Sequence, residues 1–314
     1  MDFKILFISI CSLILIACSD STEQLNEQYG KGQPRDRQLP SSVPLAIQFN
    51  DHVMPILANR CVVCHGCYDA PCQLKLSGPE GIDRGASPLK VYDANRLLAM
   101  KPSRLFVDAQ SIEEWRDKGF SSMLNERDQT TIANLDGSVL YQLLVQKNQH
   151  PQPQAGRLPA NFNFKIKRED FCPDENTLED YQEEFPLAGM PYGLPNLSND
   201  EFRTLERWIA QGAPMSEPIP LQKPILNLIV KWEKKLNGIT NKEQLINRYI
   251  YEHLFLADLY FEQVSVEEEG QPIFFRLVRS STPPGQAIKE IATRRPYEDP
   301  KVYRVYYRLQ RNLE

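Results

Sequence analysis

Four of the seven cysteines lie between Cys61 and Cys72, and two of them belong to the pattern CVVCH, in which Cys61 and Cys64 precede His65. C-x-x-C-H is the attachment signature of a c-type haem. Two thiols on one helical turn reach the two vinyl groups of one haem, and the adjacent histidine lies under the iron as its proximal ligand. The motif therefore predicts a covalently attached haem c with its iron on His65.

Two other uses of this cysteine pattern compete with haem. A thioredoxin-like redox pair needs a βαβ context, which the neighbouring sequence lacks. A zinc site needs a second pair of ligands at metal spacing, and Cys67 and Cys72 are the available pair. The histidine directly after the second cysteine favours haem over both. Cys67 and Cys72 then remain for a disulfide that closes a short loop, with Cys172 bonding to either of them as the alternative.

The segments on either side of the motif look like the first and last helices of a cytochrome c. The first helix runs up to Arg60, and Pro55 should kink it or end it early. The last helix begins at a capping box formed by Ser198 and Glu201, and Gly212 is expected to end it. Apolar residues at helical spacing mark both helices: Ala46, Phe49, Val53, Ile56 and Leu57 in the first, and Phe202, Leu205, Trp208 and Ile209 in the last.

A methionine before the last helix is the candidate for the sixth iron ligand. Met190 is followed by a proline on a Pro-rich loop, and class I cytochromes c take their distal ligand from a Met-Pro pair at this point. The alternative is a methionine that only packs. Met54, Met100 and Met123 are weaker rivals, and Met54 belongs to the helix on the attachment side.

The first residues are typical of an export signal. An apolar run, Ile5–Ile16, follows Lys4 and is too short to span a bilayer. The following Ala17-Cys18 resembles the lipobox of bacterial lipoproteins, in which the cysteine becomes the lipidated first residue; a plain signal peptide is the alternative. We expect a signal peptide over residues 1–17, a lipid-anchored tether over 18–43, and a membrane-tethered protein in the periplasm.

The pattern changes after residue 216, where we expect the start of a second, α+β domain that is incomplete at residue 314. One helix is predicted from Pro224 to Gly238, and a second begins at a capping box of Thr240 and Glu243. The second helix carries an apolar stripe, predicted to face the core: Leu245, Ile246, Tyr249, Ile250, His253, Leu254, Ala257 and Tyr260. Strand-like runs at Pro272–Val278 and Val302–Leu309 flank a short helical piece at Ala287–Thr293.

The composition excludes several classes of partner. The chain has 36 basic and 41 acidic residues among 314, so it carries no basic footprint for nucleic acid. It contains no phosphate loop and no dinucleotide-binding motif, so a nucleotide cofactor is not expected. The predicted fold class is mainly α: an enlarged class I cytochrome c-like domain at residues 44–216, followed by the incomplete α+β domain.

Together these segments resemble the bacterial fatty acid cis/trans isomerases. The resemblance covers most of the chain after residue 43, and known members are considerably longer. C-x-x-C-H is common to all cytochromes c, whereas the extra cysteines and the blocks YEHLFLADLYF and RSSTPPG are more specific. The matching stretches are Cys61–Leu76, Gly189–Pro214, Arg248–Phe261 and Phe274–Leu309.

The resemblance implies a haem enzyme that converts cis to trans double bonds in the acyl chains of membrane phospholipids, without ATP or nicotinamide. Its partners are then acyl chains and the membrane surface, while protein partners are unknown. Because rotation about a double bond requires a weakened π bond, the haem iron on His65 is the expected catalytic centre, and a permanent Met190 ligand would oppose this role. The alternatives are a membrane-tethered electron-transfer cytochrome c module and a haem-based sensor.

Overall fold

The computed structural model describes residues 21–40, 42–66, 70–89, 92–93, 96–97, 103–153, 155–163, 171–262, 264, 272–293 and 295–313. The predicted signal peptide, the lipidation site Cys18, Cys67 and Met100 lie outside these residues. The chain divides into two compact units, residues 1–217 and 218–314. The described residues are mainly helical with two-stranded sheets, which confirms the prediction of a mainly α chain. No described helix is both long enough and apolar enough to cross a membrane.

Unit 1 consists of helices joined by long irregular segments. Its helices are α1 (Ser21–Tyr29), α2 (Met54–Arg60), α3 (Val62–His65), α4 (Pro79–Arg84), α5 (Ile112–Asp117), α6 (Thr131–Asp136), α7 (Val139–Gln149), α8 (Leu178–Glu184) and α9 (Asn199–Ala210). Two short sheets accompany them: β1 (Gln38–Leu39) pairs in parallel with β4 (Met215–Ser216), and β2 (Tyr92–Asp93) pairs antiparallel with β3 (Arg96–Leu97).

The two helices predicted on either side of the motif pack together in the core of unit 1. A wide π-helical turn at Phe49–Val53 leads into α2, and Pro55 lies in the first turn of α2, where the missing N–H needs no partner. The ring of Phe49 lies 5.9 Å from that of Trp208 in α9, and both side chains are buried. The helical segment changes from the π to the α form at Met54, next to Pro55, and continues to Arg60, so it does not end early at the proline.

Helix α9 begins at the predicted capping box. The Ser198 hydroxyl accepts a hydrogen bond from the Glu201 N–H, and the Glu201 carboxylate accepts one from the Ser198 N–H. Trp208 is fully buried and donates its indole N–H to the carbonyl of Pro214. The backbone of Gly212 has a φ of +96°, the left-handed conformation that ends a helix.

The segment predicted to be a tether, residues 18–43, has regular structure in its described part. Residues 21–29 form α1, and residues 38–39 pair with β4. Arg37 forms a 2.8 Å ion pair with Asp83, and both side chains are almost fully buried. Polar composition suggested a solvated segment, but this pair and the strand pairing satisfy its polar groups inside the fold.

Unit 2 combines two helices with a hairpin-like pair of strands. Its helices α10 (Lys223–Leu236) and α11 (Asn241–Leu254) confirm the predicted helices, and the capping box of α11 is present. Strands β5 (Phe275–Ser280) and β6 (Tyr306–Arg311) pair antiparallel. Both strands begin and end a few residues later than the sequence predicted. The Arg308 guanidinium lies 2.9 Å from the buried carboxylate of Glu233 and links β6 to α10.

In unit 2, one prediction is wrong and another holds only in part. The short helix predicted at Ala287–Thr293 does not form, because this segment pairs with the end of β5: the Ile291 N–H donates to the Arg279 carbonyl. The apolar stripe of α11 faces the core only in part: Ile250 and Leu254 pack against the core of unit 2. Leu245 and Tyr249 are 70% and 61% exposed, whereas Tyr251, on the opposite side of the helix, is 2% exposed.

Candidate functional site

The C-x-x-C-H motif lies at a helix junction in unit 1. The Cys61 N–H donates to the Leu57 carbonyl at the end of α2, and the His65 N–H donates to the Cys61 carbonyl over 2.9 Å. One helical turn therefore carries both thiols and the imidazole. Cys64 is exposed and Cys61 half-buried, while the His65 side chain is buried.

The His65 ring is held in one tautomer by the backbone that follows the motif. Its Nδ1 lies 3.2 Å from the carbonyl oxygen of Leu74, and the Leu76 N–H donates to the His65 carbonyl over 2.8 Å. Because a carbonyl only accepts, Nδ1 carries the proton and Nε2 keeps its lone pair. Burial lowers the pKa of the imidazole, although the Leu74 hydrogen bond opposes this. The neutral, metal-binding form of His65 is favoured.

The free thiol of Cys61 is held in its protonated form. Burial raises its pKa to about 11, although the neighbouring Arg60 cation acts in the opposite direction. A thiol with a raised pKa is a poor nucleophile, which argues against a redox pair at this position.

A largely apolar cavity of about 350 Å³ opens beside the motif. Its wall contains all four predicted iron or haem ligands, namely Cys61, Cys64, His65 and Met190. The other lining residues come from segments spread over more than 130 residues of unit 1: Arg60, Pro71, Cys72, Leu74, Leu76, Ala86, Met123, Leu140, Leu143, Leu144, Asn163, Phe171, Pro173, Tyr181, Phe185, Ala188, Pro191, Tyr192 and Leu194.

The loop that carries Met190 is fastened to α7 by its backbone. The Met190 N–H donates to the Leu143 carbonyl over 3.0 Å. Gly189 is needed at this point, because a Cβ there would collide with the backbone nitrogen of Lys147. Met190 therefore has a fixed place on the cavity wall.

Arg60, at the end of α2, anchors the next part of the same loop. Its guanidinium donates to the carbonyls of Pro195 and Asn196, over 3.1 and 2.7 Å. These hydrogen bonds connect the residue that precedes the motif with the residues that precede α9. The end of α2 and the loop before α9 are thus joined beside the cavity.

A disulfide joins Cys72 to Cys172, with 5.4 Å between their Cα atoms. The predicted Cys67–Cys72 pairing is therefore corrected, because Cys72 is already bonded, and the alternative through Cys172 is the one observed. The bond brings Phe171 and Pro173 to the cavity wall beside Cys72. The Phe171 ring lies 5.4 Å from that of Phe185, so the disulfide holds an aromatic wall in place.

The rival methionines separate into two groups. Met54 packs against the core of unit 1 and does not line the cavity. Met123 is 5% exposed and lines the same cavity as His65 and Met190. Two methionine side chains, not one, therefore face the space beside the imidazole.

The residues on this wall fit a covalently held haem. Two thiols and a neutral imidazole on one turn provide two attachment points and one iron ligand, and a thioether sulfur stands on the same apolar wall. For the competing zinc site, the described part of the chain contains no group of three or more His, Cys, Asp or Glu side chains placed to hold a metal ion.

Sequence reasoning missed the wall that α7 provides. Leu140, Leu143 and Leu144 line the cavity from one face of this helix. Their i, i+3, i+4 spacing and the capping Ser138, whose hydroxyl accepts from the Tyr141 N–H, are signals of an amphipathic helix. The sequence contains the signals of this helix, but it does not indicate that the helix lines the same cavity as the motif.

By its fold, unit 1 belongs to the class of mainly helical proteins with an apolar, ligand-sized cavity. The model of the fatty acid cis/trans isomerase (CTI) family matches residues 100–314, more than two thirds of the chain. The chain therefore belongs to the fatty acid cis/trans isomerase family and is an isomerase. The matched span contains Met123, Met190 and α7 but begins after the C-x-x-C-H motif. No curated protein and no solved structure matches the chain significantly.

Proposed function

We propose that the chain is a haem-dependent isomerase that converts cis to trans double bonds in the unsaturated acyl chains of membrane phospholipids. One observation carries the proposal: Cys61, Cys64, His65 and Met190 line a single apolar cavity in a chain of the fatty acid cis/trans isomerase family. An acyl chain and a haem are both large apolar ligands, and the cavity wall suits both.

Each ligand residue has a defined part in holding the haem. Cys61 and Cys64 form the two thioether bonds, and Nε2 of His65 binds the iron. The Leu74 carbonyl accepts from Nδ1 of His65, which fixes the ring and raises its basicity as a ligand. Met190, on the wall of the same cavity, would offer the iron a thioether sulfur. Bound ferric haem supplies an electron-withdrawing centre that weakens the π bond of an alkene held beside it.

The remaining wall residues would provide the apolar surface for the acyl chain. The α7 leucines and the aromatic wall of Phe171, Tyr181 and Phe185 are suited to contacts with methylene groups. Rotation about a double bond changes neither the atoms nor the electrons of the substrate. The reaction therefore requires no ATP and no nicotinamide.

The proposal places the enzyme in the periplasm, where c-type haem is attached and where membrane acyl chains are accessible. Residues 1–17 are the proposed signal peptide, and Cys18 is the proposed lipid attachment point. Residues 44–216 form the proposed cytochrome c-like haem domain. The membrane surface is the proposed partner, through its phospholipid acyl chains.

The test is gas chromatography of phospholipid fatty acids after the purified protein meets vesicles of a cis-monounsaturated phospholipid. We expect trans product without added ATP, nicotinamide or electron donor. A C61A/C64A double variant should form none, because it cannot attach the haem. V63A is the matched control, since Val63 lies between the two cysteines and is 72% exposed.

Two results would contradict the proposal. Trans product from C61A/C64A at the level of V63A would remove haem from the reaction. Electron exchange with a redox partner, without any trans product from the wild-type protein, would favour the electron-transfer module instead.

A further inference from the structure

Unit 2 exposes large apolar side chains along one side of α11. Leu245, Ile246 and Tyr249 are all exposed, and Leu256, just after the end of the helix, is 91% exposed. Leu245 and Tyr249 are four positions apart and therefore lie one above the other on the helix. A single exposed apolar side chain needs no explanation, but a stripe of them indicates an interaction surface.

Helix α10 adds a second set of exposed apolar side chains, among them Val230 and Trp232. The buried residues of both helices pack in one core, Ile225 and Leu236 from α10 and Tyr251 from α11. The exposed residues of both helices therefore point away from that same core. We call them, with the exposed charged residues between them, the outer face; its apolar members are Leu226, Val230, Trp232, Leu245, Ile246 and Tyr249.

A buried hydrogen bond fixes the two helices to each other. The Asn247 side chain of α11 is buried, and its amide donates over 3.0 Å to the Lys235 carbonyl near the end of α10. The capping box of Thr240 and Glu243 starts α11 directly after the connection. The outer face is therefore a surface of fixed shape and not a frayed helix end.

The outer face is basic, although the chain as a whole is acidic. Residues 223–254 contain six basic and three acidic side chains, a net charge of +3, whereas the whole chain carries −5. Two of the three acids are paired: Glu233 is buried against the Arg308 guanidinium, and Glu252 lies 2.7 Å from Arg248. Five lysines of the segment are exposed, namely Lys223, Lys231, Lys234, Lys235 and Lys242.

We propose that the outer face of α10 and α11 docks on the surface of an anionic phospholipid bilayer. The proposal rests on the proposed function, which makes the membrane surface the partner. Aliphatic side chains enter the boundary between headgroups and acyl chains, and lysines are attracted to the anionic headgroups. Tyrosine and tryptophan suit this boundary, because each has an apolar ring and a polar edge. The Trp232 ring already has a cation beside it, since Nζ of Lys235 lies 5.2 Å from its centre.

The charge of the outer face argues against a second copy of the chain as its occupant. In a symmetric dimer the same patch is used on both subunits, so two basic faces would meet and repel each other. Lysine is also depleted at protein–protein interfaces, whereas basic residues around an apolar stripe are typical of helices that lie on membranes.

Binding to vesicles tests the contribution of the lysines. The purified chain is titrated with vesicles of phosphatidylcholine and with vesicles that also contain phosphatidylglycerol. The ratio of the two partition coefficients is the measured quantity, because an acyl anchor contributes equally to both. We expect K231Q/K234Q to lower this ratio by roughly tenfold or more, since each lysine near an anionic surface contributes about a factor of five. K31Q/K118Q, which removes two exposed lysines of unit 1, is the matched control.

A second variant tests the contribution of the apolar stripe. L245E places an acid where the proposal places lipid, so its binding to both kinds of vesicle should fall by roughly tenfold or more. I132E is the matched control, since Ile132 is an exposed apolar residue of α6 in unit 1 and is 64% exposed. Both positions are on the surface, and circular dichroism establishes that both variants fold.

Chemical labelling locates the contact on the wild-type protein. Lysines are acetylated with and without anionic vesicles, and the modified peptides are quantified by mass spectrometry. We expect vesicles to protect Lys231, Lys234 and Lys242 but not Lys31 or Lys118. An acyl anchor alone would leave the lysines of the outer face as reactive as those of unit 1.

The proposal is overturned if both variants bind vesicles as their controls do and the vesicles do not protect the lysines of the outer face. Self-association in sedimentation velocity that L245E abolishes, with vesicle binding unchanged, would also overturn it and assign the face to a second copy. Trans product is measured on the same preparations. A wild-type protein that docks through this face but forms no trans product refutes the proposed function and leaves the docking face in place.

Discussion

The Nδ1 atom of His65 lies 3.2 Å from the carbonyl oxygen of Leu74, a residue nine positions further along the chain. The contact sets the tautomer of the ring, because only Nδ1 is left to donate. The Leu76 N–H in turn donates a hydrogen bond to the His65 carbonyl, which fastens the same segment to the motif. The histidine proposed to bind iron is thus held by the segment after the motif as well as by the motif itself.

Replacing His65 by alanine tests its role as the proximal ligand. We expect H65A to keep haem on its two thioether bonds but to change the absorption spectrum, because the iron loses a nitrogen ligand. Trans product should fall to the background of the C61A/C64A variant. H150A is the control, since His150 is exposed. An unchanged spectrum in H65A would exclude His65 as the ligand.

The two cavity methionines give a second prediction. If Met190 ligates the resting ferric iron, M190L loses the charge-transfer band of a methionine–iron bond, whereas M123L keeps it. Both residues line the cavity, so both variants remove one thioether from the same space. The opposite pattern would assign the ligand to Met123. A wild-type ferric spectrum without this band would remove both methionines as resting ligands.

The candidate ligand residues of this site could be predicted from the sequence, because the pattern that marks each of them is local. Cys61, Cys64 and His65 lie on one turn, and Met190 stands directly before a proline. The other residues of the cavity wall could not be predicted, because Met123 and the leucines of α7 reach the cavity only through the tertiary fold. The family resemblance directed attention to the correct enzyme class but not to these residues.

The Cys72–Cys172 bond predicts a large effect on stability. It closes a loop of 100 residues, and losing a bond of this kind lowers the free energy of unfolding by about 2–5 kcal/mol. C172S should therefore melt at a lower temperature and lose the aromatic wall beside the cavity. C67S is the control, because it leaves the bond intact. Peptide mapping without reductant should recover Cys72 linked to Cys172; a Cys67–Cys72 peptide would contradict the structure.

The helices were predicted best where local signals fix them. The capping boxes at Ser198 and Thr240 start α9 and α11 as predicted, because each is complete within four residues. Residues 21–40 were predicted poorly, since their order depends on partners such as Asp83 and Met215 that are distant in sequence. Composition shows that a segment is polar, but it does not show whether the polar groups of that segment form hydrogen bonds or ion pairs inside the fold.

The Arg37–Asp83 pair tests whether the N-terminal segment is part of the fold. R37M leaves the Asp83 carboxylate buried without its cation, and breaking a buried pair in this way costs about 3–5 kcal/mol. Chemical denaturation of unit 1 measures the loss. R35M, at an exposed position two residues earlier, should change the free energy of unfolding by less than about 0.5 kcal/mol. Equal effects of the two variants would mean that the segment is a loose tether after all.

Two tyrosines of α11 decide which side of that helix faces the core of unit 2. Tyr251 is 2% exposed, with the ring of Tyr307 5.3 Å away and the Arg279 guanidinium over its face, whereas Tyr249 is 61% exposed. We expect Y251A to destabilise unit 2 by about 3–5 kcal/mol, as for a large buried aromatic, and Y249A by less than about 1 kcal/mol. Hydrogen exchange of the α11 and β5 amides measures both. A larger loss in Y249A would restore the apolar stripe of Leu245, Ile246 and Tyr249 as the buried face.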